Sequence, residues 1–438
     1  MFADLKKSLC VLARRALWLL ERRPVRLLFA VVVLAAHLGA FQALGRERFK
    51  IPFNAEPKTV PAFHPADQPV IGVRAPAAWN RLLPARWDSQ HYAAFALRGY
   101  QHCPPGDLRG VSLPPMLVYC GFNFYPGYPF VASLVMRATG APVDYALLGV
   151  SLFASLIFLY LATSKEIRDA LGTGTAYLTL ILLSTFTTGF TLVTMQTEPL
   201  VLAAELGAYV LYKRGWLLTG ALVAGSAGAM RVSGGAIGLA YAVMLLVHYA
   251  RAKGSLGGRF ARLFVGGLFA GWGQLTLFAY FYAKYKDPLL YVHAHQQAYA
   301  HGVSLLDAVW PDRGRMIWAM GIGRDRLHEG VFLLMGLVWL GLGFREAMKR
   351  FALTDRVYWF FVLALTLGIS VVGSAGLAYA GMNRYWFVIV PLFFSMAVVL
   401  KRKPVALAAW MAFTTWHYWN VDLCGYMGQH APHLCGWV

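Results

Sequence analysis

The chain is poor in charge and poorer still in acid. Of 438 residues only 14% are charged, with 20 Asp and Glu against 40 Lys and Arg, whereas soluble globular chains carry about 25% charged residues. So little polar surface excludes an ordinary soluble domain. Cysteine is scarce, at 5 residues, which excludes a disulfide-dense secreted scaffold. The sequence also lacks a Walker loop, a strand-borne GxGxxG, an HExxH helix and a local Ser-His-Asp signature. ATP hydrolysis and nucleotide-sugar binding on a Rossmann domain therefore have no sequence basis. No internal repeat and no separate soluble domain can be discerned.

Hydrophobic residues make up 58% of the chain, in apolar runs near the roughly 20 residues needed to cross a hydrocarbon core. These runs predict an all-α polytopic membrane protein with spans near 25–44, 144–163, 172–192, 199–214, 216–231, 233–250, 263–283, 330–345, 356–375, 385–400 and 404–420, about eleven crossings in all. The basic N-terminal stretch of Lys6, Lys7, Arg14, Arg15, Arg22, Arg23 and Arg26 is long, and no small-residue cleavage site follows the apolar run after it. It reads as a cytoplasmic segment over 1–24 lying on anionic lipid, not as a cleaved signal peptide.

The net charge of +20 is distributed in alternate short loops: Lys165 and Arg168; Lys213 and Arg214; Arg251, Lys253, Arg259 and Arg262; Arg345, Lys349, Arg350 and Arg356; Lys401, Arg402 and Lys403. The intervening short connections carry chiefly Arg231 and Arg384. This is the positive-inside pattern, and it predicts a cytoplasmic N-terminus and an external C-terminus. Attraction to membrane lipid accounts for the basicity, and no nucleic-acid partner is expected. Within a transmembrane domain over 25–420, the pattern makes 45–143 and 284–329 external loops and 421–438 an external tail. Cys103 and Cys120 share the first loop, and Cys424 and Cys435 share the tail. Four cysteines allow three pairings; local pairing within each segment is the simplest in an oxidising compartment, and free, partly buried thiols are the alternative.

The first loop contains Arg86-Trp87-Asp88-Ser89-Gln90-His91-Tyr92. Ionisable residues at membrane level are costly and usually functional, so Asp88 is a candidate catalytic carboxylate, although Asp before Ser-Gln-His-Tyr also suits a helix cap. Residues 92–98 form an amphipathic piece able to lie at the interface. Next comes Asn123-Phe124-Tyr125-Pro126-Gly127-Tyr128-Pro129, whose prolines argue against regular helix before Pro129. Its Tyr125 and Tyr128 are candidates for an aromatic wall beside a lipid-linked substrate, or for a bent re-entry into the membrane. In Gln196-Thr197-Glu198-Pro199, Pro199 suits a first helical turn. Glu198 there either compensates the helix dipole or bonds sugar hydroxyls. Arg384, in Met382-Asn383-Arg384-Tyr385, is nearly alone on the sparsely basic side and suits a phosphate, with snorkelling the plainer explanation. Arg231 is a weaker candidate of the same kind. His293, His295 and His301 match no ligand spacing, and Gln90 stands where a second acid beside Asp88 would be needed. No protein-bound metal is therefore signalled.

Taken in order, Trp87-Asp88-Ser89-Gln90-His91-Tyr92, Phe124-Tyr125-Pro126-Gly127-Tyr128-Pro129, Thr197-Glu198-Pro199-Leu200, Met230-Arg231-Val232-Ser233-Gly234, Asp287-Pro288-Leu289 and Asn383-Arg384-Tyr385 resemble the GT-C glycosyltransferases, specifically bacterial relatives of the GPI mannosyltransferase PIG-V. The resemblance spans roughly residues 80–400 in collinear order. It departs at Val232-Ser233, where proline-threonine is usual, and at Gly127. It implies a GT-C fold in the bacterial inner membrane and inverting transfer of a monosaccharide, mannose first. The donor would be a polyprenyl-phosphate sugar, and the acceptor a glycan, lipid or protein at the external face. It implies no tightly bound cofactor and leaves a divalent metal open. Asp88 would be the general base. Arg384 and then His91 would stabilise the departing phosphate, with Trp87, Tyr92, Glu198, Arg231, Asn383 and Tyr385 lining the donor site. The alternatives are a transporter or flippase of a lipid-linked or anionic substrate, and a non-catalytic assembly subunit.

Overall fold

Among the described residues, long apolar runs bounded by proline, glycine and serine punctuation fold as helices. The computed structural model describes residues 21–47, 88–100, 122, 124–299, 324–375 and 382–422, and among them there is no strand. The helices are α1 (Arg23–Glu47), α2 (Asp88–Arg98), α3 (Gly127–Thr139), α4 (Val143–Ala162), α5 (Lys165–Leu171), α6 (Thr173–Ser184), α7 (Glu198–Lys213), α8 (Leu217–Met230), α9 (Val232–Arg251), α10 (Leu256–Tyr285), α11 (Leu290–Tyr299), α12 (Arg324–Met348), α13 (Leu353–Ala375), α14 (Met382–Phe387), α15 (Val390–Leu400) and α16 (Pro404–His417).

Among the described residues, four stretches are long and apolar enough to cross a membrane: Arg23–Ala43, Val143–Ala162, Val232–Arg251 and Leu256–Tyr285. The chain is an all-α membrane protein. Several expected spans take a different form. The run at 172–192 is a helix of 12 residues followed by a 3-10 turn over Gly189–Val193. At 1.5 Å per residue α6 rises only about 18 Å. The run at 385–400 is interrupted, with α14 ending at Phe387 and α15 starting at Val390 with Pro391 in its first turn. A proline there lacks the N–H and ring clearance that an unbroken helix needs. Regular helix was not expected before Pro129, yet α3 begins at Gly127. Pro129 sits in the first turn, where backbone N–H groups have no intrahelical acceptor to lose.

Local chemistry sets the ends. Ser164 and Ser255 cap α5 and α10 by accepting from the backbone N–H of Ile167 and Gly258, and Gly140 closes α3 at φ 70°.

Packing centres on α7, whose Val201, Leu202, Ala204, Leu206 and Tyr209 are all buried. It lies against α4 and α8, while α8 packs on α9 and α10. Glycine permits the last contact. A Cβ on Gly225 would meet the backbone of Phe269, and one on Gly273 would lie 2.6 Å from Ala229 N. Small residues let membrane helices approach to this distance. At the C-terminal end of α7, Lys213 Nζ lies 2.8 Å from Asp355 Oδ2 and Arg214 Nε lies 2.8 Å from Glu166 Oε1. Burial pushes the Glu166 carboxyl up, but the bond and charge of Arg214 outweigh it and hold the group below its usual range. Near the same end, Arg26 of α1 donates to Thr163 at 3.1 Å and lies over the Tyr160 ring at 4.2 Å.

Candidate active site

The other end of α7 gathers side chains from four parts of the chain. Pro199 fixes the first turn, which puts Glu198 at the helix start, fully buried. Arg231 occupies the extended break between α8 and α9, at φ −161° and ψ 155°, and its Nη1 lies 2.5 Å from Glu198 Oε1. Arg384 comes from α14, the half-helix before the interruption, and its Nε donates to the same Glu198 oxygen. Asp88 opens α2, and its Oδ2 accepts from Arg384 Nη1 at 2.9 Å. Arg384 Nη2 donates to Gln196 Oε1.

The two carboxylates, Asp88 and Glu198, formally balance the two guanidiniums, Arg231 and Arg384. Charges taken out of water survive only when paired and hydrogen-bonded; Glu198 Oε1 and Asp88 Oδ2 meet that condition through charge-assisted contacts, while Glu198 Oε2 is buried without a hydrogen-bond partner among the described residues. Exposure grades outward through the cluster: the Glu198 side chain is 0% exposed, those of Arg231 and Arg384 13%, and that of Asp88 30%. The outermost group is thus a carboxylate. It uses Oδ2 for Arg384, while Oδ1 has no hydrogen-bond partner among the described residues. Such an oxygen can take a proton from a hydroxyl brought to it.

Aromatic residues flank the cluster. The Arg231 guanidinium lies 4.8 Å from the Tyr385 ring centroid. His91 stacks on Phe124 at 4.4 Å, and Tyr92 packs edge-on against Tyr128 at 5.1 Å. Burial, with the Asp88 charge second, raises the Tyr92 phenol far above its ordinary value, so it stays neutral. Tyr128 is fully buried, and its hydroxyl donates to Leu147 O at 2.8 Å and lies 2.8 Å from Ser151 Oγ. It anchors α3 to α4. Tyr125 meets the Gln274 side chain and packs against Tyr291 at 4.7 Å, and burial pushes its phenol up to about 12.

The structure thus brings together Asp88, Glu198, Arg231, Arg384 and Tyr385, with His91, Tyr92, Tyr125 and Tyr128 in the adjoining aromatic layer. Within residues 92–98, Tyr92, Ala93 and Ala96 are buried and Leu97 is exposed, and α2 packs on α3 and α4. Trp87, the side chain of Asn383, and Cys103, Cys120, Cys424 and Cys435 lie outside the described residues. His293 Nδ1 lies 2.6 Å from Asp287 Oδ2, which ties the imidazole to the loop after α10. The His295 side chain and His301 lie outside the described residues. No group of three or more His, Cys, Asp or Glu gathers among the described residues.

Two members of the cluster were not singled out in the sequence. Gln196 and Ser89 stand inside the quoted motifs, but an amide and a hydroxyl are too common for type or spacing to mark them. No family model, curated protein or solved structure matches this chain.

Proposed function

We propose that this chain is an inverting membrane glycosyltransferase of GT-C type. It moves a monosaccharide, mannose in the first instance, from a polyprenyl-phosphate donor to an acceptor hydroxyl, with Asp88 as general base. The observation that carries this reading is the meeting of Asp88, Glu198, Arg231 and Arg384 in one charge-balanced cluster. A helix cap, a dipole-compensating carboxylate and a snorkelling arginine would each satisfy local needs separately, and nothing would require them to touch.

The cluster's charge balance fits the chemistry. Asp88 Oδ1 takes the acceptor proton as the hydroxyl oxygen attacks C1 of the sugar on the face opposite the phosphate. The C1–O bond to phosphate breaks, and polyprenyl phosphate leaves with the electron pair. Protonation neutralises Asp88, so the cluster gains one net positive charge, on the Arg384 and Arg231 side, at the moment negative charge develops on the leaving group. A preorganised cation that acts only then lowers the barrier rather than merely binding the donor. His91, stacked on Phe124, is the second candidate to meet the phosphate. The external face, the bacterial inner membrane and the mannose donor belong to this same reading.

The test is transfer from polyprenyl-phosphate mannose by membranes containing the Asp88→Asn variant. Asparagine retains an oxygen for Arg384 but cannot take the proton. Loss of transfer by protein that still folds and inserts supports the assignment; transfer at the parental rate overturns it.

One observation favours a second reading. Glu205, two turns further along α7, is fully buried, with its carboxyl facing the backbone N–H of Val390 at the start of α15. A carboxyl inside a membrane bundle beside an interrupted helix also suits a transporter. Substrate flux in proteoliposomes without sugar transfer would favour that reading.

A further inference from the structure

We infer that Gln196 is a positioning residue that aims the Asp88 carboxylate through two routes at once; this rests on the glycosyl-transfer reading above. Gln196 is buried at 1% exposure in the segment between the 3-10 turn and α7. Its Oε1 accepts from Arg384 Nη2, and Arg384 Nη1 in turn holds Asp88 Oδ2 at 2.9 Å. Its Nε2 donates to Ser89 Oγ at 3.3 Å, and Ser89 is the residue next to Asp88 in α2. The Ser89 hydroxyl donates onward to Met195 O at 3.2 Å.

These contacts close a ring: Asp88 carboxylate, Arg384 guanidinium, Gln196 amide, Ser89 hydroxyl, and back along the peptide to Asp88. Only a side chain carrying both an acceptor and a donor can occupy the Gln196 place. A carboxylate there would have to take its proton from Ser89, and Met195 O would lose its bond. A second set of bonds fixes the amide's own backbone. Ser151 Oγ donates to Gln196 O at 3.1 Å, and Gln196 N donates to Thr194 O at 2.9 Å. Through Tyr128, which lies against Ser151, the ring is braced on α3 and α4. The amide is neutral, so it orients Arg384 without disturbing the charge balance on which Asp88 depends.

The experiment uses the full chain in native membranes with polyprenyl-phosphate mannose as probe and compares Gln196→Met, Gln196→Glu, Ser89→Ala and the Gln196→Met/Ser89→Ala pair. Gln196→Met should lower kcat by roughly tenfold or more while donor KM stays within about twofold, because aim rather than ground-state binding is lost. Gln196→Glu places a negative charge near Asp88, which favours the protonated carboxyl. The acid limb of the pH–rate profile should therefore move to higher pH. The paired variant should fall no lower in kcat than the worse single variant, since both cut the same ring. An unchanged kcat in Gln196→Met, a loss confined to KM, or an unmoved acid limb in Gln196→Glu would overturn the inference. Thermal unfolding of the same four proteins reads the ring without any turnover. Non-additive shifts for Gln196 and Ser89 uphold it even if the parent transfers no sugar, and additive shifts dismiss it even if the parent is active.

Discussion

Arg384 and Asp88 stand 296 residues apart in the chain and 2.9 Å apart in space. The contact joins the short half-helix α14 to the start of α2. Each partner therefore owes its position to the other's helix as much as to its own.

Replacing Asp88 tests the chemistry most directly. A positioned general base contributes about 10²–10⁴ in rate, so Asp88→Asn and Asp88→Ala should both lose transfer by that order. Only the alanine variant strips Arg384 of an acceptor, so it alone should also lower the unfolding temperature. Initial rates in membranes and thermal unfolding of the purified proteins measure the two effects separately.

Glu198 is the keystone of charge. Its Oε1 serves both Arg231 and Arg384, and its removal leaves two guanidiniums facing one half-exposed carboxylate. Breaking a buried pair from one side costs about 3–5 kcal/mol. Glu198→Ala should therefore unfold at a distinctly lower temperature and yield less inserted protein. Adding Arg231→Met should recover part of that stability without restoring transfer, which thermal unfolding and initial rates would register.

Tyr128 separates anchoring from substrate contact. Its hydroxyl serves Leu147 O and Ser151 inside the protein, and a buried group left without its partner costs about 1–3 kcal/mol. Tyr128→Phe is expected to lose stability of that size while donor KM holds steady. A raised KM at unchanged stability would make Tyr128 a substrate wall instead.

Close helix approach gives a prediction independent of function. Gly273 leaves no room for a side chain beside Gly225 and Ala229, and overpacking costs about 1–3 kcal/mol or more. Gly273→Val should sharply reduce the yield of folded protein. Valine at Gly267, where a Cβ meets nothing within 4 Å, should be accepted. Size-exclusion profiles in detergent distinguish the two.

Alkaline titration probes the aromatic layer. Burial pushes the Tyr125 phenol up to about 12, against about 10 in an unfolded chain. The unfolded state loses its proton first, so the stability tied to this group is intact below about pH 10 and is lost as pH rises towards 12. In difference absorbance, Tyr125→Phe should remove a phenolate component that titrates near the upper limit.

What composition alone determined was the class of molecule: an all-α membrane chain, because hydropathy is summed locally and needs no knowledge of neighbours. Some helix ends were legible for the same reason. Pro199 marks the start of α7 through its own ring, whatever packs against it. The sequence also supplied the cast of the site, since Asp88, Glu198, Arg231 and Arg384 were conspicuous as charges in an apolar chain. Tertiary structure decided the rest. Apolar length runs unbroken through 385–400, and only the structure shows the helix ending at Phe387 and restarting at Val390 with Pro391 in its first turn. Whether an arginine awaits an anion or already holds carboxylates depends on which helix ends meet. Arg384 finds Glu198, Asp88 and Gln196 because α2, α7 and α14 converge, and the desolvation of that junction is what forces their charges to pair.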